Sequence, residues 1–424
     1  MKIFLASSAV PRADGSAAHT VLSILIEMIC RMGHDVTLQC IGWHAKGLGE
    51  SETKRVEELM ALGVEVLPAL DISKVVGERR GSLLRRMRRV ALAGMSEIYP
   101  ATALGDEVGR RVRDSGAAAI LIFWDPEGLA ATYRIRGVRK VAYYGMPDYM
   151  ASEAMLRHPG LFDIPYSTLA EKFRVIVARH LTRRRREIHF KLMLGCDVTG
   201  NICAFHADMY REMGHPRSIY IQNLWPDSSR SWRQEGMNAQ ARRPAKIVGS
   251  LGNVRSTGNT FGLLYLGNQI LPRLERRLGS DNFEINIYGH GVPYSPIARS
   301  LSHPSVKLRG WVPDLDAEIL SSRVFLMMNN TGYYKGSHTR FLHAWTLGSC
   351  VVAHRINAAA MPEIQHMENA LLGDDPDEIS DLIERAVKDE ELRRRIGDGG
   401  RQTYEALFRP EVVVPKLVDE LCSS

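Results

Sequence analysis

The sequence predicts an α/β protein made of two similar units in series. Short apolar runs, most of them rich in β-branched or aromatic residues, alternate with longer helix-like segments, the pattern of a parallel sheet covered on both faces. A polar stretch without periodicity, "DSSRSWRQEGMNAQARRPA", interrupts the alternation after residue 226, and the alternation restarts beyond it. A length of 424 residues agrees, being long for one core.

In the first unit, residues 1–225, the strand candidates are "KIFLASSA", "DVTLQCIG", "VEVLPAL", "AAILIFW", "KVAYYG" and "SIYIQNL". Between the first two, "AAHTVLSILIEMICRMG" sets Val21, Leu25, Met28 and Met32 on one helical face and stops at Gly33. Residues 226–245 form the linker. The second unit, 246–408, opens with the strand "KIVGSLG" and a helix from Thr260 to Leu278. The strands "FEINIYG" and "VKLRGWV", a helix near Leu315 to Ser321, the strand "VFLMMN", a helix from about Arg340, and the strands "CVVAHR" and "ALLGD" follow. Long charged helices come next, and residues 409–424 read as a final helix that packs back on the first unit.

Composition is that of a soluble protein, 45% hydrophobic and 24% charged. No apolar run approaches the ~20 residues that cross a bilayer, and the first residues lack the apolar core of a secretory signal, so a cytoplasmic location is expected. The cysteines (Cys30, Cys40, Cys196, Cys203, Cys350 and Cys422) are scattered, which indicates reduced thiols rather than a disulfide framework or a zinc site.

Net charge is +7, and the excess lies in the first unit: 31 Lys and Arg stand against 24 Asp and Glu over residues 1–225, and 24 against 24 beyond. It concentrates in "ERRGSLLRRMRRVAL" (Glu78 to Leu92) and "EKFRVIVARHLTRRRREIHFKL" (Glu171 to Leu192), both with apolar residues at helical intervals. Two readings stay open: helices resting on an anionic membrane surface, and solvated helix faces. Nucleic acid is not expected, since neither segment interleaves aromatics for base stacking.

Parallel sheets bind ligands outside the carboxyl ends of their strands. Each unit has a glycine turn there: "SSAVPRADGSAAH", with Gly15 and Ser16 at a helix start and His19 just inside it, and "GSLGNVRSTGNT", with Gly249, Ser250, Gly252, Arg255 and Gly258. Backbone N–H groups at such turns, and the positive end of the helix that follows, suit phosphate. "IYGHG" adds Gly289 and His290, and "RGWVP" adds Trp311 and Val312, either of which could pack a base, Trp311 alternatively being a core aromatic at a strand end. After the strand "VFLMMN", the stretch "YYKGSHTRFLHAW" collects Lys335, Gly336, Ser337, His338, Thr339, Arg340 and His343, a donor cluster suited to a diphosphate.

In combination and order these motifs resemble the GT-B glycosyltransferases, and within them the large group called family 4, over nearly the whole chain. "VGSLGNVRSTGN" is similar to the family's strand–glycine loop, "YGHG" to its later glycine turn, and "GWV" to its "G-x-V" segment. "KGSHTRFLHAWTLGSCVVA" is similar to the family's acidic motif at Gly336, Ala344, Gly348 and Val351 to Ala353. The resemblance implies two Rossmann-like domains facing each other across a cleft, with the second holding a nucleotide-diphosphate sugar. It places backbone donors on Ser337 to Thr339, and Gly15 beside the phosphate and reactive sugar.

Three departures stand out. The family's paired glutamates fall on Lys335 and His343, and Ser250 replaces one of its basic residues, leaving Arg255. A histidine that the family often has after the strand "KVAYYG" is missing, and Tyr144 and Asp148 stand near its place as candidates to contact the acceptor, Asp148 alternatively being a turn aspartate.

The expected activity is therefore transfer of a sugar from a nucleotide-diphosphate donor to a glycan or lipid-linked acceptor in envelope polysaccharide or glycoconjugate synthesis. A retaining, hexosyltransferase-like reaction is expected, with Arg255, Lys335 and Asp148 as catalytic candidates and no metal or other cofactor. The location is cytoplasmic or peripheral at the inner membrane face. A GT-B sugar-nucleotide epimerase, and a degenerate protein that binds sugar nucleotide or a partner without turnover, are the alternatives.

Overall fold

Among the described residues every strand is parallel to its neighbours in the sheet. In this computed structural model, which describes residues 1–9, 11, 17–42, 50–76, 93–228, 240, 243–329, 334–336 and 339–423, the chain divides into two units. One comprises residues 1–152, 173–226 and 410–424, and the other residues 153–172 and 227–409.

Among the described residues the first unit holds a seven-stranded sheet of β1 (Lys2–Ser7), β2 (Asp35–Gly42), β3 (Glu65–Asp71), β4 (Ala119–Phe123), β5 (Arg139–Tyr144), β6 (Val198–Asn201) and β7 (Ser218–Tyr220). Their spatial order is β3-β2-β1-β4-β5-β6-β7. Central strands are buried on both sides, which is why β4 reads as an unbroken apolar run. Side chains of β1 alternate between two cores: Ile3 and Leu5 enter one, Phe4 and Ala6 the other.

The first of these cores is closed by two helices, Ala17–Arg31 and Pro410–Cys422. Val21, Leu22, Leu25, Ile26 and Ile29 of one meet Val413, Val414, Leu417, Val418 and Leu421 of the other. The apolar stripe is thus wider than the expected one, and Met32 falls beyond the helix and is exposed. The C-terminal helix is also tied by charge, Arg217 meeting the Glu420 carboxylate at 2.9 Å and Arg139 donating to the Glu420 carbonyl at 2.6 Å. β6, "VTGN", has no apolar run to announce it; it is recognised only by pairing with β5 and β7.

In the second unit, β8 (Ala245–Leu251), β9 (Phe283–Tyr288), β10 (Val306–Gly310), β11 (Val324–Met327), β12 (Val351–His354) and β13 (Leu371–Gly373) lie in the order β10-β9-β8-β11-β12-β13. The residues from Glu153 to Lys172, read from sequence as part of the first unit, belong here. Phe162 stacks edge-on against Phe261 and Tyr294, and the Asp163 carboxylate accepts both the N–H and the O–H of Ser295, at 2.9 and 3.0 Å.

If the C-terminal helix completes the first core, truncating fully buried Leu417 to alanine should cost about 3 kcal/mol of stability. Urea unfolding monitored by circular dichroism checks this.

Candidate functional site

In each sheet the strand order reverses at one point, between β1 and β4 and between β8 and β11, and ligands of parallel sheets bind beyond the strand ends there.

At the end of β8 the chain turns through Gly252, φ 84°, and Ser256 then caps helix Thr257–Tyr265, its hydroxyl accepting the Asn259 N–H. The turn after β9 closes tightly on this one. A Cβ at Gly289, φ 127°, would collide with the Gly252 carbonyl, so both conformation and space demand glycine. Val254 N–H donates to the His290 carbonyl at 3.1 Å and Gly289 N–H to the Gly310 carbonyl at 2.7 Å, which stitches together the turns after β8, β9 and β10.

Behind these turns sits Asn259, fully buried. Its Nδ2 donates to the Leu251 and Asn253 carbonyls at 3.0 and 2.7 Å. Its Oδ1 accepts from the Ser250 hydroxyl at 3.0 Å, from Asn329 Nδ2 at 2.6 Å, and from Arg340 Nη1. Arg340 opens helix Thr339–Thr346, and its Nη2 lies 3.5 Å from where a Cβ of Gly252 would be. Burial pushes its guanidinium down to about 10, against a weaker opposing effect of Tyr334; among the described residues Tyr334 is its one charge partner and no carboxylate neutralises it. The residue is half-buried, and a partly desolvated cation without a carboxylate partner is unfavourable unless an anion meets it.

The other predicted donor-site residues divide. Gly249 is a correction: it lies within β8, and a Cβ there would stand 2.5 Å from Ile285, so its smallness serves strand packing. Ser250 is buried and turned to Asn259. Arg255 is exposed, its guanidinium 4.3 Å above the Tyr294 ring. His290 is exposed, and Trp311 is 80% exposed, which removes the core reading of that tryptophan; Val312 is half-buried. Lys335 and Thr339 are half-buried and Gly336 buried. Gly15, Ser16, Ser337, His338 and the basic segment 78–92 lie outside the described residues.

His343 has a partner that sequence reading missed. Its Nε2 lies 2.7 Å from Asp316 Oδ1 on helix Leu315–Leu320, and Asp316 Oδ2 accepts the Ser228 hydroxyl at 3.2 Å. A carboxylate therefore stands beside the histidine that the resemblance sets against a glutamate. Asn259 was missed too; its one signal is a lone amide in the largely apolar helix "TGNTFGLLY".

In the first unit β4 runs into Trp124 at φ 44°, a left-handed conformation rare for so bulky a residue. Asp125 then caps helix Pro126–Thr132, accepting the Glu127 and Gly128 N–H groups at 3.0 and 2.8 Å. Burial pushes the Asp125 carboxyl up to about 6 despite these bonds. Glu127, next to it, is pushed up to about 7, by burial first and by the charges of Asp125 and Asp148; its one backbone donor is Ala101 N–H at 3.3 Å.

Asp148 opens helix Asp148–Arg157 and accepts the Tyr99 hydroxyl at 3.0 and 3.1 Å. His189 Nδ1 lies 3.5 Å and Arg185 Nε 3.7 Å from its carboxylate. Burial raises its proton affinity, but His189, Arg185 and Tyr99 outweigh this and hold Asp148 below the ordinary aspartate range. It is a hydrogen-bond acceptor of low basicity. Tyr144 is a correction: it is buried in the core edge-on to His189, so an acceptor cannot reach it. His19 is half-buried in the first turn of helix Ala17–Arg31. Among the described residues no group of three or more His, Cys, Asp or Glu could hold a metal ion.

Two parallel sheets flanked by helices, with a phosphate-type turn on the second, define a GT-B glycosyltransferase architecture. Residues 245–389 match the family model for glycosyl transferases group 1. Three solved structures illustrate the fold across the whole chain. A glycosyltransferase from Rickettsia africae is 11% identical, with 100% of this chain and 99% of that one covered at a TM-score of 0.60. HepE of Anabaena, in complex with UDP and glucose, is 13% identical, with both chains fully covered at 0.63. S. aureus TarM, a mutant in complex with Fondaparinux, alpha-GlcNAc-glycerol and UDP, is 9% identical, with both chains fully covered at 0.64. No curated protein sequence matches the chain.

Because Glu127 holds its proton more tightly in the folded than in the unfolded chain, stability falls as pH rises from its unfolded value of 4.5 through about 7. Glu127→Gln should remove this loss and gain up to about 3 kcal/mol at pH 8 relative to wild type. Chemical unfolding of both proteins across that range checks it.

Proposed function

We propose that the protein is a glycosyltransferase that takes a sugar from a nucleotide-diphosphate donor held by the second unit and passes it to a hydroxyl of a glycan or lipid-linked acceptor. The setting we propose is envelope polysaccharide or glycoconjugate synthesis, with the protein peripheral at the inner membrane face. The observation that carries the donor assignment is the half-buried guanidinium of Arg340 beside the Gly252 turn, which no carboxylate neutralises among the described residues.

A diphosphate would supply the missing counter-charge. The N–H groups at the start of helix Thr257–Tyr265 add donors without net charge, and Arg255 and Lys335 add mobile cations as negative charge grows on the leaving group. Support also comes from the family model matched by residues 245–389 and from the UDP bound in HepE and TarM. His343 with Asp316 is the pair we assign to the nucleoside hydroxyls, a carboxylate and an imidazole in place of one glutamate.

Asp148 accepts a hydroxyl from Tyr99 already and is weakly basic, so we assign it to orienting the acceptor rather than taking its proton. Retention of configuration rests on the resemblance alone. A second reading, binding of sugar nucleotide without turnover, is favoured by Lys335 and His343 standing where both glutamates would be.

Thermal stabilisation by a panel of UDP-, GDP-, ADP- and CMP-sugars, followed by donor hydrolysis, decides between these readings. Stabilisation with slow hydrolysis is expected; stabilisation with neither hydrolysis nor transfer selects the binding-only reading, and no stabilisation by any nucleotide sinks the donor site. Arg340→Ala should weaken nucleoside diphosphate binding at least about thirtyfold, a loss of about 2 kcal/mol, with Arg340→Lys intermediate, as measured by calorimetry. Equal affinity in all three proteins would remove Arg340 from the site.

A further inference from the structure

Resting on the donor-site reading above, we infer that Tyr294 is a positioning residue of that site: its ring seats the Arg255 guanidinium, at one end of a row of aromatic rings that also braces the helix start given to phosphate.

Arg255 is exposed, and an arginine side chain gives up about 2 kcal/mol of rotamer freedom when a ligand fixes it. Here it is restrained beforehand. Its backbone N–H donates to Asn253 Oδ1 at 2.9 Å, its Cγ lies 3.8 Å from where a Cβ of Gly291 would be, and its guanidinium carbon stands 4.3 Å from the centre of the Tyr294 ring. The ring's quadrupole attracts a cation at such a distance. Among the described residues Arg255 has neither an ion pair nor a side-chain hydrogen bond, so the ring is the contact that holds its charge. A guanidinium held through its face keeps its N–H edges open to phosphate.

Tyr294 is itself fixed. Phe162 meets its ring edge-on at 5.4 Å and meets Phe261 at 5.6 Å, and Phe261 lies 6.3 Å from Tyr334; all four rings are buried. The Tyr334 ring fills the space that Gly258 leaves, standing 3.1 Å from where a Cβ there would be. Gly258 and Phe261 both belong to helix Thr257–Tyr265, so one row of rings sets Arg255 against the N–H groups at the start of that helix. The residue after Tyr294 is anchored too, Ser295 donating its N–H and O–H to the carboxylate of Asp163, whose own backbone is left-handed at φ 51°.

Phe162 and Asp163 come from residues 153–172, more than a hundred positions before the tyrosine they hold, which is why no local pattern singles Tyr294 out. With Ser250 at the end of β8 in place of a basic residue, Arg255 is the cation left on this turn. Seating it before the diphosphate arrives lowers the entropy lost on binding, the ordinary gain of a preorganised site.

Nuclear magnetic resonance of the ligand-free full chain should find the Arg255 Hδ resonances moved upfield by the Tyr294 ring current, an effect kept in Tyr294→Phe and lost in Tyr294→Leu. In calorimetry with UDP, GDP and ADP, Tyr294→Leu should weaken binding of whichever is bound about fivefold, and Tyr294→Phe by less than about twofold. Tyr294→Leu/Arg255→Ala should bind no more weakly than Arg255→Ala alone. Arg255 resonances at their ordinary position in the wild-type protein, a measurement that needs no variant, would overturn the inference, as would losses that add in the double variant or a Phe variant as weak as the Leu one. Binding that Arg340→Ala weakens and Tyr294→Leu does not would overturn it and leave the donor site standing, whereas no binding of any of the three by the wild-type protein would remove both.

Discussion

The buried side-chain amide of Asn259 is the constraint on which the second unit's site depends. Sitting just inside a helix start, it ties the ends of β8 and β11 and the start of helix Thr339–Thr346 to one oxygen, and holds the Leu251 and Asn253 carbonyls with its nitrogen. A fully buried amide is tolerated only when its donors and acceptors are met, so the turn, the strand ends and Arg340 are placed together or not at all. The result is a set of turns held together by one amide, with one charge left over among the described residues.

That leftover charge gives an account of the altered motif. Ser250 stands where the resemblance would put a basic residue, and its hydroxyl shares the Asn259 oxygen with Arg340, so the cation near this turn comes from helix Thr339–Thr346. At His343 a carboxylate, that of Asp316, comes from helix Leu315–Leu320.

The first unit has the opposite electrostatics. Asp125, Glu127 and Asp148 gather near the ends of β4 and β5, where Arg185 and His189 compensate one carboxylate, and burial keeps protons on the other two toward neutral pH. The left-handed backbone at Trp124 is what brings Asp125 into position to cap its helix. This is the region the proposed function gives to a hydroxyl-bearing acceptor, and the second unit's turns are those it gives to phosphate.

The sequence by itself determined the alternation of strands and helices, the break after residue 226, the glycine turns and the donor-rich stretch after β11, because burial on both faces and turn conformations leave marks in neighbouring residues. Short β6 escaped for the converse reason, its four residues having too little apolar character to show a period. Only the tertiary structure decided which polar groups meet: Arg340 with Asn259 across 81 residues, Asp148 with Tyr99 across 49, His343 with Asp316 across 27. It also separated Gly249, whose missing side chain makes room for Ile285, from Gly252, whose backbone makes the turn. Local pattern records whether a residue is buried; what it is buried against depends on strand order, which no local window contains.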